Sequence, residues 1–81
     1  MNRLTIDPTD ENLQYLAAHK ESYTVMLRHE SLTKPLHARS IRYMPNGLVG
    51  LYVTSEDMPS WQPGEYRFNR DKIVSLQISF A

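Results

Sequence analysis

Cysteine is absent from the 81 residues, which excludes both a disulfide framework and a thiolate metal site. Nothing therefore argues for an oxidising compartment. Glycine occurs only 3 times, and no GxGxxG, Walker A or GxSxG motif is present, so the sequence has no glycine-rich phosphate loop and no nucleophile elbow. No apolar run approaches the roughly 20 residues that span a bilayer, and Met1-Asn2-Arg3-Leu4-Thr5-Ile6-Asp7 lacks the apolar stretch of a secretory leader. The expectation is a cytoplasmic protein with no membrane partner. A net charge is also lacking, with 9 basic against 9 acidic residues, so no global field marks a nucleic-acid or membrane-surface binder.

A chain of this length buries only about 60% of its unfolded surface. One core and a single domain over residues 1–81 are expected, with no internal repeat or linker. Asp7-Pro8-Thr9-Asp10-Glu11 has the order of a helix start, with Asp7 as cap, Pro8 at the first position and acids near the positive end of the dipole. Leu13, Leu16 and Ala17 then form one apolar stripe, and His19 and Lys20 suit the other end. The spacing predicts a helix over about 8–20. From Tyr23 the period changes to two, and five strands are expected at about 22–29, 36–43, 48–54, 65–68 and 73–80.

Two details of these strands carry weight. Asn46-Gly47 is the strongest hairpin signal, since both residues accept the positive φ of a type I′ turn, and it should pair the strands on either side. Gly50 within the third strand suggests a bulge or sharp bend that curls the sheet. Val74, Leu76, Ile78 and Phe80 alternate with polar residues and predict a half-buried last strand, able to pair with another copy if it lies at an open edge. Trp61 lies in a proline-rich loop and either plugs one end of the core or anchors a partner. The fold class is mainly β with one N-terminal helix, in the form of a five-stranded, strongly bent antiparallel sheet or an SH3/Sm-like barrel.

The chemistry available is binding chemistry. His19, His29 and His37 have no metal-ligand spacing, and they read as a helix-end residue and two exposed strand-end residues. Glu56 and Asp57 are adjacent in the chain and do not face each other across a substrate, so a solvated pair is expected. No catalytic residue, metal site or cofactor is predicted, and the chain reads as a non-enzyme. Arg39, Arg42, Arg67, Arg70 and Lys72 form two basic clusters beside aromatic residues, a combination that can clamp a nucleotide or a single strand. The same residues can equally be solvated side chains paired with Glu30, Glu65 and Asp71.

The order of one helix and five bent strands resembles the Sm-like fold, and the segment Tyr66 to Leu76 resembles the last motif of Sm-like and WYL domains. Leu51-Tyr52-Val53 stands in the place of the Trp-Tyr-Leu motif that names the WYL family, and Phe68, Asp71, Lys72 and Ile73 match its closing stretch. The match covers roughly 23–78, with Leu51 replacing the naming Trp, and Tyr66 and Asn69 standing where Arg is common. The resemblance implies a regulatory module that recognises a nucleotide or nucleic acid, and it adds Tyr52 to the candidate binding residues. Arg67 and Arg70 lie one residue away from the family positions, which in a strand is the opposite face. The competing expectation is a protein-interaction adaptor or inhibitor of accessory-element or phage type, contacting a larger protein. Association with copies of itself is compatible with either.

Overall fold

In the computed structural model, which describes residues 3–80, the chain is mainly β with one helix, as the periodicity predicts. The strands form two antiparallel sheets rather than one closed barrel. The described elements are β1 (Arg3–Ile6), α1 (Asp10–Ala18), β2 (Tyr23–His29), β3 (Leu36–Ala38), β4 (Ile41–Tyr43), β5 (Leu48–Val53), β6 (Gly64–Asn69) and β7 (Ile73–Phe80), with a single 3-10 turn at Arg70–Lys72. The first sheet has the order β1-β7-β2-β3 and the second β4-β5-β6. No helix among the described residues is long and apolar enough to cross a membrane.

The seven strands exceed the expected five for two reasons. Arg3-Leu4-Thr5-Ile6 is itself a strand, paired antiparallel with β7 from Arg3 opposite Ser79 to Ile6 opposite Leu76. The expected strand over 36–43 is broken at Arg39–Ser40, and its halves join different sheets. Leu36 and Ala38 are buried on one side of that break and Ile41 on the other, so the inward face passes from even to odd residues. A continuous strand cannot make that change. The Arg39 amide bonds the Tyr52 carbonyl at 3.2 Å, which holds the corner against β5.

The helix starts two residues later than expected, because Thr9 is its cap. The Thr9 hydroxyl accepts from the Asn12 amide at 3.2 Å, while the Asp7 carbonyl accepts from the Thr9 amide and from Asn12 Nδ2. Pro8 therefore precedes the cap. Leu13 and Leu16 are buried and Ala17 is not, so the buried stripe is a single i, i+3 pair. At the other end His19 leaves helical geometry, and its amide bonds the Leu16 carbonyl at 3.2 Å.

The β4–β5 hairpin forms across Asn46-Gly47, but its turn is not type I′. Among the described residues only Gly47 and Gly64 have positive φ, and Asn46 does not. Pro45, with its φ fixed by the ring, takes the second position of a type I turn, and the Gly47 amide donates to the Met44 carbonyl at 3.1 Å. Gly47, at φ 81°, supplies the left-handed residue that returns the chain to the ladder. Gly50 makes no bulge: its pairing with Arg42 on one side and Arg67 on the other is uninterrupted. The irregularity lies at Arg28/His29, where Arg28 opposes Ser75 and His29 opposes Ile73. Val74 is thus left without a partner and points outward, while Ile73 turns into the core.

The inner faces of both sheets and the helix stripe enclose one core, including Leu13, Leu27, Leu36, Leu51, Leu76 and Ile78. Met58 and Trp61 of the loop after β5 pack against it, and Trp61 meets Tyr66 edge-on at 4.9 Å. His29 is buried rather than exposed, because it continues the inward parity of Tyr23, Val25 and Leu27. The Ser31 amide donates to its Nδ1 at 3.1 Å, and its ring lies 5.0 Å from Phe68.

One side chain joins all three layers. Tyr23 is 5% exposed, its hydroxyl donates to the Leu16 carbonyl at 2.7 Å, and it accepts from the Ile41 amide at 3.1 Å. Replacing Tyr23 with Phe keeps the ring, orphans the Ile41 amide at a cost of about 1–3 kcal/mol, and leaves the Leu16 carbonyl only its longer bond from the His19 amide. Urea unfolding should show a midpoint lowered accordingly, with the fold retained by circular dichroism. An unchanged midpoint would mean that neither bond contributes.

Candidate functional site

The strand registers decide which of the expected binding residues can act together. Arg42, Gly50 and Arg67 form one row across the second sheet, and Tyr52 and Glu65 form the next. Alternation puts Arg42, Tyr52, Glu65 and Arg67 on its outer face, with Ile41, Val49, Leu51 and Val53 facing the core. Tyr52 is 50% exposed. Glu65 is shared, with Arg42 donating to Oε2 at 3.0 Å and Arg67 to Oε1 at 3.2 Å. A Cβ on Gly50 would lie 3.0 Å from the Glu65 carboxyl carbon and 2.8 Å from Met44 Cε. The missing side chain is therefore the space in which the bridging carboxylate sits.

Arg39 stands at the corner beside this face. Its Nε donates to Asp57 at 2.7 Å, and its outer nitrogen reaches Asp57 and, more distantly, Glu56. Asp57 is fixed in turn by the Thr54 hydroxyl at 3.0 Å. The Arg39 bond, assisted by Thr54, holds the Asp57 carboxyl below its usual range, and the same bond raises the Arg39 pKa. Glu56 and Asp57 thus differ in role: Asp57 orders the corner, and Glu56 remains mostly in solvent.

Arg70 lies away from that face, because the 3-10 turn carries it toward the helix. It donates to Asp10 and, at 3.1 Å, to the Tyr43 hydroxyl, while Tyr43 also donates to Asp10. Asp71 is a further partner at 3.4 Å. Asp10, Gln14, Tyr43, Met44, Gly47 and Arg70 border a cleft of about 470 Å³. The Tyr43 hydrogen bond, followed by the charge of Arg70, lowers the Asp10 pKa, whereas the bond to Asp10 raises that of Tyr43 and the Asp10 charge raises that of Arg70. Each pKa is moved further from neutral pH, which suits a fixed clasp and not a proton relay. Lys72 is exposed on the same turn, and its carbonyl accepts from the Glu30 amide at 3.1 Å.

The structure therefore brings Arg42, Tyr52 and Arg67 together, places Arg39 at their margin, and separates Arg70 and Lys72 from them. Of the acids expected as partners, Glu65 and Asp71 hold arginines, and Asp10, Glu56 and Asp57 join them. Among the described residues, no group of three or more His, Asp or Glu side chains converges to hold a metal ion. No protein-family model, curated protein or solved structure matches the chain, so the WYL and Sm-like resemblance rests on its own residues alone.

The clasp makes a pH-dependent contribution whose sign is set by Asp10. Its pKa in the folded chain lies below the ordinary 3.8, so the stabilisation is present above that value and is lost as pH falls through the lowered one. Asp57 acts in the same direction. Asp10→Ala should lower the urea midpoint at neutral pH and flatten the acid limb of the stability profile. The two proteins should converge at the lowest pH, and parallel curves throughout would contradict the assignment.

Proposed function

We propose that this chain is a non-catalytic binding module, a small adaptor or inhibitor whose partner is a protein, and that it presents the outer face of the second sheet. The observation that carries this reading is the neutralisation of three arginines by three carboxylates: Arg42 and Arg67 share Glu65, and Arg39 holds Asp57 with Glu56 beyond it. A polyanion draws its affinity from uncompensated cations that release counterions. Here phosphate would have to compete with carboxylates already in place. A protein surface offering both signs of charge around an apolar contact meets no such competition.

The residue types agree with that partner. Tyr and Arg dominate binding energy at protein interfaces, and Tyr52 stands on the central strand, two residues along the same face from the row of arginines whose side chains Glu65 already orients. Ordering them before contact reduces the side-chain entropy lost on association. The nucleotide or nucleic-acid reading uses the same Arg42, Tyr52 and Arg67, and it is the competing outcome of one experiment.

Immobilised wild-type chain should retain one stoichiometric protein from its source lysate, and Tyr52→Ala or Arg67→Ala should release it. A central anchor contributes about 2 kcal/mol or more, so each variant should bind the purified partner roughly 30-fold more weakly. Lys20→Ala should bind as wild type does. Oligonucleotide binding that weakens steeply with salt, with no protein retained, would replace this reading by the nucleic-acid one.

A further inference from the structure

The first sheet ends on β1, not on β7. The expected self-pairing of Val74 to Phe80 is unavailable, because β7 is bonded on both sides, to β1 and to β2. The opposite edge, β3, is three residues long and runs into the corner tied to β5. Strand β1 is different: Arg3, Leu4 and Thr5 are exposed, and its outer backbone has no strand partner among the described residues. It carries no proline or bulge, two of the devices that usually blunt such an edge. Beside it lies an apolar groove of about 200 Å³ between β1 and α1, lined by residues including Leu4, Ile6, Tyr15 and Phe80, with Leu4 51% and Tyr15 61% exposed.

We infer that β1 is a self-association edge, on which two copies of this chain pair antiparallel about a two-fold axis at Thr5. The argument is one of parity and charge. Leu4 and Ile6 face the groove, with Arg3 and Thr5 on the other face, so a continuous sheet must pair odd residues with odd and even with even. Centring on Thr5 sets Leu4 against the partner's Ile6, Thr5 against the partner's Thr5, and Arg3 against the partner's Asp7. The two-fold axis repeats the opposite-charge pair. Centring on Leu4 would set Arg3 against the partner's Thr5 and pair no charged side chains. The segment complementary to this edge is thus the edge itself, which selects a second copy as its occupant. The pairing also brings the two exposed Leu4 side chains and their grooves to a common seam. It uses none of the residues of the second sheet's outer face, and it stands or falls separately from the proposed function.

Sedimentation of the 9.4 kDa chain tests it. Wild type should show a concentration-dependent approach to twice that mass. Arg3→Asp alone, or Asp7→Arg alone, sets like charges across the axis and should give monomers. An equimolar mixture of these two variants should recover the dimer, because each then supplies the charge the other needs. Both positions are exposed, and Asp7 contributes its backbone carbonyl to the helix entry, so circular dichroism should match wild type. Tyr52→Ala should remain dimeric even where it loses its partner protein. A wild type that stays monomeric at every soluble concentration overturns the inference. So do single variants that dimerise as wild type does, or a mixture that stays monomeric.

Discussion

The architecture depends on the burial of a single phenol. Tyr23 opens β2 beside the end of the helix and the start of β4, and its hydroxyl serves one backbone group from the helix and one from β4. The Ile41 amide has no ladder partner at that point and the Leu16 carbonyl has only the His19 amide, so one buried atom that can donate and accept at once completes both. The aromatic ring supplies the apolar surface around that atom and meets His19 and Phe80 at 5.7 and 6.0 Å. Burial raises the Tyr23 pKa above its ordinary value, which keeps the hydroxyl protonated and able to donate. The short helix, marginal by itself, is fastened at its C-terminal end by this residue and at its N-terminal end by the Asp10 clasp.

Much of the fold is legible in local periodicity, and the parts that are not have physical causes. Tyr23, Val25 and Leu27 alternate cleanly and form β2, and Pro45-Asn46-Gly47 marks a hairpin because ring closure and a missing Cβ leave few other conformations. The break at Arg39–Ser40 is also written in the residues, since Leu36 and Ala38 share a parity that Ile41 and Tyr43 reverse. The same reversal between Ile73 and Leu76 marks the bulge. Both signals require reading the phase of the alternation as well as its presence. Strand β1 is harder to see: four residues with two apolar side chains carry little pattern, and their pairing lies some 70 residues away in sequence.

The site was less legible than the fold. Arg42, Tyr52 and Arg67, which residue type singles out, fall in registers that share a face. Residue type could not say that Glu65 would serve two guanidiniums, or that Arg39 would find Asp57 18 residues on. Charge partners across a sheet are set by register and not by neighbourhood in the chain, and a count of basic residues in a segment is blind to them. Arg70 shows the opposite error. It lies close to Arg67 in sequence, but the 3-10 turn sends it to a partner 60 residues away at the start of the helix.

The position of β7 has a temporal meaning as well as a geometric one. It lies between β1 and β2, which have no bond to each other, so the first strand and the third element made are held apart until the last strand arrives between them. The second sheet, by contrast, joins neighbours along the chain and can close as soon as β6 is present. By contact order the local pairings of the second sheet are expected to form faster than those of β7, the strand that closes the first sheet as a keystone. During that interval two strand edges and one apolar face stand open, and the chain is at its most vulnerable to joining another copy in the wrong place.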